Sequence, residues 1–339
     1  MIRKVNIAVI GTGRMGSVHV ANLVRQVPLA NLSAICDIRL DVAQKVADDL
    51  GIERVVQDYH DLLADKDIEA VLIATSTDTH AKIVEDCARA GKQIFCEKPL
   101  APTLAEIEGV LKVIAETGVK LQVGFNRRFD KNFQKVKEVV QSGALGRPCI
   151  LRITNRDPEL PSMAFLRLSG GMFMDMSIHD FDMARFQIGE VDEVYAIGDV
   201  FIDQELKSFG DLDTTVISLR FKDGTLGTID NSRQAVYGYD QRLEVLCLDG
   251  VAKAENEFEN SVSTGNPSGF HSAPAKHFFM ERYAPCYVEE VRQFIDAVRE
   301  NLPTPTNGMD GYMAVAIAMA AAKSVQEKRP VKMSEIINI

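Results

Sequence analysis

Val5-Asn6-Ile7-Ala8-Val9-Ile10-Gly11-Thr12-Gly13-Arg14-Met15-Gly16 reads as a short apolar strand running directly into G-x-G-x-x-G at the start of a helix. In that context the first glycine permits the tight turn, and the second lets backbone N–H groups approach a pyrophosphate. The third allows close helix packing, and the helix N-terminus adds favourable partial charge for an anion. A second strand, Leu32-Ser33-Ala34-Ile35-Cys36, ends at Asp37, about 20 residues beyond the last glycine, where an acid accepts hydrogen bonds from ribose hydroxyls. Gly11, Thr12, Gly13, Arg14, Met15, Asp37 and Ile38 are therefore expected to hold a dinucleotide. Asp37 repels a 2′-phosphate and favours NAD over NADP; Arg39 could receive that phosphate, but reads better as a solvated residue at the start of the next helix.

Outward from this stretch the alternation continues. Asp41 to Leu50 is a helix closed by Gly51, and Ala70-Val71-Leu72-Ile73-Ala74 a fully apolar strand. It runs into Thr75-Ser76-Thr77-Asp78-Thr79-His80, whose hydroxyls and acid can cap the next helix. Gln93 to Cys96 is a strand that stops at Glu97-Lys98-Pro99; Thr103 to Thr117 is a helix and Val119 to Gly124 a strand. The repeat predicts an α/β fold with a doubly wound parallel sheet, a Rossmann domain whose ligand crevice lies at the carboxyl ends of the strands. Thr75, Ser76, His80, Glu97 and Lys98 fall at that end, with a structural role the better reading for His80. An ammonium at Lys98 can orient a substrate hydroxyl and stabilise a developing alkoxide.

The chemistry is expected in Gly170-Gly171-Met172-Phe173-Met174-Asp175-Met176-Ser177-Ile178-His179-Asp180-Phe181-Asp182. On one helix, Asp175, His179 and Asp182 are spaced i, i+4, i+7 and share a face, beside an apolar stripe of Met174, Ile178, Phe181, Ala184 and Ile188. A histidine flanked by carboxylates is a tunable proton acceptor held in one tautomer. The competing reading is a core histidine satisfied by an i−4 hydrogen bond.

At 339 residues the chain is expected to form two domains. A net charge of −10 argues against a nucleic-acid partner, since affinity there rests on basic surface. Met1-Ile2-Arg3-Lys4 leads straight into a strand with no separate apolar leader region, which points to a cytoplasmic protein. The most apolar stretch, Met313 to Ala322, is too short for a bilayer and reads as a buried helix. Six scattered cysteines without a C-x-x-C pair suggest reduced, buried thiols and no metal.

Further along, Phe129 to Gln141 is an amphipathic helix and Pro148 to Thr154 a strand. Strands follow near Val194–Ile202, Thr214–Phe221, Thr225–Ser232, Leu243–Leu248 and Val251–Glu255, with Asp223-Gly224 and Asp249-Gly250 as hairpin signals. Asn256 to Lys276 reads as a long loop, and Tyr287–Glu300 and Gly308–Lys328 as closing helices. The expected organisation is 1–124 for the dinucleotide domain, 125–147 for a connecting helix, and 148–286 for a second domain that takes the substrate. The closing residues 287–339 are expected to pack back on the first domain.

Three motifs in order, Gly11-Thr12-Gly13-Arg14-Met15-Gly16, Cys96-Glu97-Lys98-Pro99-Leu100 and Gly170-Gly171 followed by Asp175 and His179, resemble the glucose-fructose oxidoreductase / inositol dehydrogenase / rhizopine catabolism family along essentially the whole chain. The resemblance implies that Lys98, Asp175 and His179 are the catalytic groups. It also implies a second domain with a large, open, mostly antiparallel sheet, whose exposed face forms the interface of a homo-oligomer, a tetramer or dimer. Gly124-Phe125-Asn126-Arg127-Arg128-Phe129-Asp130, Asn155-Arg156-Asp157-Pro158 and Tyr237-Gly238-Tyr239-Asp240-Gln241-Arg242 are most similar to the inositol 2-dehydrogenase subgroup. Thr75-Ser76-Thr77 departs from the A-T-P-N-like residues of many relatives. The implied reaction is metal-free, NAD-dependent oxidation of a cyclitol hydroxyl to a ketone. Binding a ring of hydroxyls needs polar side chains, and the candidates, besides the catalytic three, are Arg127, Asn155, Asp157, Asp182, Tyr237 and Tyr283. An aldose dehydrogenase and a non-catalytic NAD(P)-sensing protein are the alternatives.

Overall fold

The computed structural model describes residues 3–337, so the first two residues of the opening Met1-Ile2-Arg3-Lys4 lie outside the described residues. The chain divides into two units: one runs to Phe129 and takes in Pro285–Val315, the other comprises Asp130–Ala284 and the residues from Ala316 onward.

The first unit is built on six parallel strands, β1 (Val5–Ile10), β2 (Ala30–Cys36), β3 (Val55–Val56), β4 (Ala70–Ile73), β5 (Gln93–Glu97) and β6 (Leu121–Gly124), in the order β3-β2-β1-β4-β5-β6. Strand β1 lies between β2 and β4, so the winding reverses there, which is where an open parallel sheet leaves a crevice. Helices α1 (Arg14–Gln26), α2 (Leu40–Leu50), α3 (His60–Leu63), α4 (Thr77–Arg89) and α5 (Leu104–Thr117) connect the strands. Covered on both faces, β4 is buried at every residue, as its unbroken apolar run requires. Helix α5 starts with a reciprocal capping box between Thr103 and Glu106, whereas Ser76, at the N-cap of α4, makes no side-chain cap bond.

Beyond the helical turn Asn126–Phe129, Asp130 caps α6 (Lys131–Gln141) by accepting from Asn132 and Phe133 N–H. The second unit carries β7 (Pro148–Arg156), β8 (Val191–Asp199), β9 (Thr214–Phe221), β10 (Leu226–Ser232), β11 (Asp240–Cys247) and β12 (Gly250–Ala254). These join a sheet ordered β12-β11-β7-β10-β9-β8 that is antiparallel except where β7 meets β10. The fold is thus a Rossmann domain plus a mostly antiparallel α+β unit. Both Asp-Gly signals fall at hairpins, β9 to β10 and β11 to β12; at the first, Gly224 takes φ +89.

Three expectations shift. The strand placed at Val194–Ile202 begins earlier and ends at Asp199, because the N–H groups of Phe201 and Ile202 turn to the Asp213 carboxylate (3.0 and 2.7 Å). The loop Asn256 to Lys276 contains an exposed hairpin, β13 (Ser263–Asn266) with β14 (Gly269–Ser272). The single helix expected through Asp175 and His179 is broken. After α7 (Met163–Leu166), α8 (Met172–Asp175) stops and α9 (Ile178–Gln187) begins only at Ile178. Between them Ser177 N–H donates to Met172 C=O, five residues back (3.0 Å), the wide turn of a π-type irregularity.

Helices α10 (Phe279–Arg282), α11 (Ala284–Glu300) and α12 (Gly308–Glu327) follow, and β15 (Val331–Lys332) adds to the second sheet beside β8. The alanine-rich stretch of α12 is buried apart from Met319 and Ala322, and no helix among the described residues is long and apolar enough to cross a membrane. All six cysteines are free and five are buried; burial first, then neighbouring acids, pushes the Cys36 thiol up to about 12.

Candidate active site

In the first unit the expected cofactor residues collect where the topology puts a crevice. Gly11 to Met15 follow β1, Asp37 and Ile38 follow β2, Thr75 and Ser76 lie just past β4, and Glu97 and Lys98 end β5. The three glycines differ in kind. Gly11 has φ +93, and a Cβ there would lie 2.5 Å from the Ala74 carbonyl oxygen; at Gly16 it would lie 1.9 Å from the Gly11 carbonyl oxygen. At Gly13 a Cβ would meet nothing within 4 Å. The loop therefore has packing reasons for its first and third glycines, and at the second an open cradle at the uncapped N-terminus of α1 that suits a pyrophosphate. Gly16→Ala is accordingly expected to cost at least about 1–3 kcal/mol of stability through backbone overpacking. Gly13→Ala should leave the urea midpoint unchanged and weaken dinucleotide binding in a fluorescence titration. Equal effects of the two on stability would remove the cradle from the account.

Asp37 is nearly buried and closes the loop: Oδ2 accepts the Thr12 N–H (2.8 Å) and hydroxyl (2.9 Å), and Oδ1 accepts the Arg39 N–H (3.0 Å). Burial pushes its carboxyl upward, but the hydrogen bonds from Arg39 and Thr12 and the Arg39 guanidinium outweigh that and hold it below the usual range. It is an anion at neutral pH, the state that accepts from ribose hydroxyls and repels a 2′-phosphate. Ile38 beside it is 80% exposed, an apolar surface next to that carboxylate.

His80 is buried, with Nδ1 on the Pro99 carbonyl (2.8 Å) and Nε2 near the Thr75 carbonyl (3.2 Å). It ties α4 to the Lys98–Pro99 segment, whose peptide is cis; burial holds its imidazole below the ordinary value. Glu97 is also buried, with Oε1 accepting from His19 Nε2 (2.6 Å) and Oε2 from the Lys98 N–H (3.2 Å). Arg127 is buried in the turn after β6.

In the second unit the break between α8 and α9 separates the two groups expected to share a regular helical face. Asp175 sits at the end of α8 and its Oδ2 pairs with Nη1 of Arg233 (3.2 Å), an arginine 1% exposed. His179 lies half-buried in the first turn of α9. Helix α9 is buried on nearly every side: Asp180 and Asp182 are as inaccessible as Phe181.

Asp180, which the sequence reading did not single out, fixes that turn. Thr215, Asn231, Asn155 and Gln241 stand in one register row across β9, β10, β7 and β11, all with side chains buried. Asp180 Oδ2 accepts from Asn155 Nδ2 (2.7 Å) and Asn231 Nδ2 (2.8 Å), while Asn231 Oδ1 accepts from the Ser177 hydroxyl (2.6 Å) at the helix break. Gln241 Nε2 donates to Asn155 Oδ1 (2.5 Å) and the Tyr283 hydroxyl to Gln241 Oε1 (3.2 Å). Asn155 and Tyr283, expected against the substrate, are thus built into the polar row that seats α9. The signal was present as strand parity, because Asn155 continues the inward positions Leu151 and Ile153, and Asn231 continues Gly227 and Ile229. Tyr237 is half exposed, its hydroxyl donating to Asp240 Oδ2 (2.7 Å) and accepting from Arg156 Nη1 (3.0 Å). Asp157 is half-buried at the end of β7.

The first unit thus carries an open cradle at a helix N-terminus, and the second carries an anchored acid and, at the start of the next helix, a half-buried histidine. Residues 5–125 match the profile described as "Oxidoreductase family, NAD-binding Rossmann fold" and residues 133–253 the "GFO/IDH/MocA C-terminal domain". Over 332 residues the chain is 47% identical to myo-inositol 2-dehydrogenase of Thermotoga maritima, covering 98% of this chain and 99% of that protein. It is 41% identical to inositol 2-dehydrogenase of Rhizobium meliloti, covering 97% and 99%. The solved structure of scyllo-inositol dehydrogenase from Lactobacillus casei with bound NAD(H) and scyllo-inositol superimposes with TM-score 0.92 at 29% identity, covering 98% of this chain and 100% of that one.

Proposed function

Since the chain belongs to the GFO/IDH/MocA oxidoreductase family, we propose that it is an NAD-dependent inositol 2-dehydrogenase, oxidising one hydroxyl of myo- or scyllo-inositol to the keto-inositol. The observation that carries this reading is full-length likeness to inositol 2-dehydrogenases in a chain that keeps Lys98, Asp175 and His179. NAD, when bound, accepts the hydride from the substrate carbon.

The chain's own residues do the rest. Gly11 to Met15 and the N-terminus of α1 hold the pyrophosphate, and Asp37 accepts from the adenosine ribose, with Ile38, Thr75, Ser76 and Glu97 around the cofactor. Lys98 hydrogen-bonds the reacting hydroxyl and steadies its oxygen as the proton leaves. His179 accepts that proton on its imidazole, and Asp175, anchored by Arg233, stabilises the resulting cation. Arg127, Asp157, Asp182 and Tyr237 read the remaining ring hydroxyls, while Asn155 and Tyr283 act one step back by seating α9. An unmatched buried donor or acceptor penalises the wrong epimer steeply, so the preference between isomers rests on these polar groups. No metal enters this mechanism. We further propose a cytoplasmic homo-oligomer, a tetramer or dimer, assembled through the exposed face of the second sheet, where Tyr195, Ile197 and Val216 are exposed on adjacent strands.

The deciding experiment is NADH formation at about pH 9 with myo-inositol, scyllo-inositol, D-chiro-inositol, glucose and xylose, with NAD and NADP in parallel. An inositol turned over with NAD is the expected result. Preference for an aldose would move the enzyme to the sugar branch, and NAD binding without turnover of any polyol would point to the sensing protein.

A further inference from the structure

Around Glu97, at the end of β5, lies a polar cluster whose other two members the reaction as described does not use. His19 from α1, Glu97 from β5 and Glu290 from α11 are all buried, with one potential donor or ligand atom from each lying within 4.8 Å of the others. The walls are aromatic: the His19 ring stands edge-on to Phe95 (5.4 Å) and Tyr287 (6.0 Å), and Phe95 contacts Phe294 (5.9 Å). Glu290 is 0% exposed, and neither of its carboxylate oxygens has a hydrogen-bond partner among the described residues; Nδ1 of His19 is likewise unmatched. The Glu290 backbone is fixed from the opposite side, where its C=O accepts from Gln122 Nε2 (2.8 Å).

An unpartnered carboxylate anion beside a second carboxyl group and aromatic rings is the most unfavourable form this group can take. A proton or a cation resolves it. The His19 Nε2 to Glu97 Oε1 separation of 2.6 Å favours the proton: it is a hydrogen-bond length, whereas two ligands at about 2.0–2.1 Å on a tetrahedral zinc stand about 3.3 Å apart. Burial first, and the neighbouring Glu97 second, push the Glu290 carboxyl well above its ordinary value.

We propose that Glu290 is a positioning residue for Lys98: as a neutral carboxylic acid it completes, with His19, the buried seat of Glu97, whose other carboxylate oxygen holds the Lys98 backbone N–H. The inference rests on the reading of Lys98 as the group that binds the reacting hydroxyl. With its Oε1 held by His19 and its Oε2 by the Lys98 amide, Glu97 links the interior to the catalytic lysine. A second negative charge at Glu290 would drive it from that position. A neutral acid fills the same space without repulsion.

The test uses the full chain with Glu290→Gln, Glu290→Ala and Lys98→Ala. Glu290→Gln, an uncharged isostere, is expected to keep kcat within about 3-fold of the parent. Glu290→Ala should lose about 10–100-fold in kcat, the scale of a small misplacement of a catalytic group, with KM for NAD unchanged. Infrared spectra at neutral pH should show the C=O stretch of a protonated carboxylic acid in the parent and not in Glu290→Gln, a readout that holds even if Glu290→Ala does not fold. Thermal unfolding adds a sign. A carboxyl raised in the folded state keeps a proton that the unfolded chain releases above about pH 4.5, so the parent loses stability relative to Glu290→Gln as pH rises from there. His19 and Glu97 are the titratable groups beside it, and they are common to both proteins. The proposal is overturned if Glu290→Gln is as impaired as Glu290→Ala, if the acid band is absent, or if elemental analysis finds one divalent metal per chain that Glu290→Gln loses. Full turnover in Lys98→Ala would instead remove the role of Lys98, whatever Glu290 does.

Discussion

Replacing His179 with alanine is expected to lower kcat for inositol oxidation by about 10²–10⁴-fold, the usual worth of a positioned general base, while NAD affinity stays within about twofold. The imidazole is half-buried in the first turn of α9, whose orientation is set next door by Asp180 between Asn155 and Asn231. These contacts do not involve the imidazole, so they persist when it is removed. Steady-state NADH formation and a fluorescence titration of NADH binding measure the two quantities separately. A parallel loss of cofactor affinity would mean that His179 serves the fold or the nucleotide, and turnover close to the parent's would transfer the base role to Lys98.

Replacing Asp37 with alanine should lower kcat/KM for NAD by about 10–100-fold, the effect of losing charge-assisted hydrogen bonds worth about 1.5–3 kcal/mol, and should shift preference toward NADP. Two consequences of the structure combine here. The carboxylate proposed to accept from ribose and repel a 2′-phosphate also holds the Thr12 N–H and hydroxyl, so its loss loosens the glycine-rich loop as well. It also releases Arg39, whose exposed guanidinium lies 3.9 Å from Asp37 Oδ1, to meet that phosphate. Initial rates with both cofactors give the preference, and the unfolding midpoint reports the loosened loop. If the NADP-to-NAD ratio does not rise, Asp37 is not the ribose acceptor.

Much of this was legible along the chain because the interactions involved are local. A strand, a turn that only glycine permits and a helix N-terminus occupy twelve consecutive residues, and the apolar β4 could only be a strand covered on both faces. Asp-Gly pairs marked hairpins for the same reason. The reading failed where a distant partner overrode local pattern. The helix through Asp175 and His179 had the right spacing to be continuous, yet Ser177 Oγ donates to Asn231, 54 residues away, and the chain opens into a wide turn at that point. Asn155, expected against the substrate because a ring of hydroxyls needs polar partners, also has its amide bonded to Asp180 and Gln241, partners from other segments.

By itself the sequence determined the glycine-rich turn and the parallel sheet, since each depends on neighbours within a few residues, while the mostly antiparallel second unit was expected from resemblance to a family. Only the tertiary structure decided which polar residues are spent on the protein itself. Arg233 against Asp175, Asp180 against the row of Asn155 and Asn231, and Glu290 beside Glu97 and His19 are brought together from separate segments. A buried polar group must find its partner wherever the fold delivers one, and spacing along the chain carries no record of that choice.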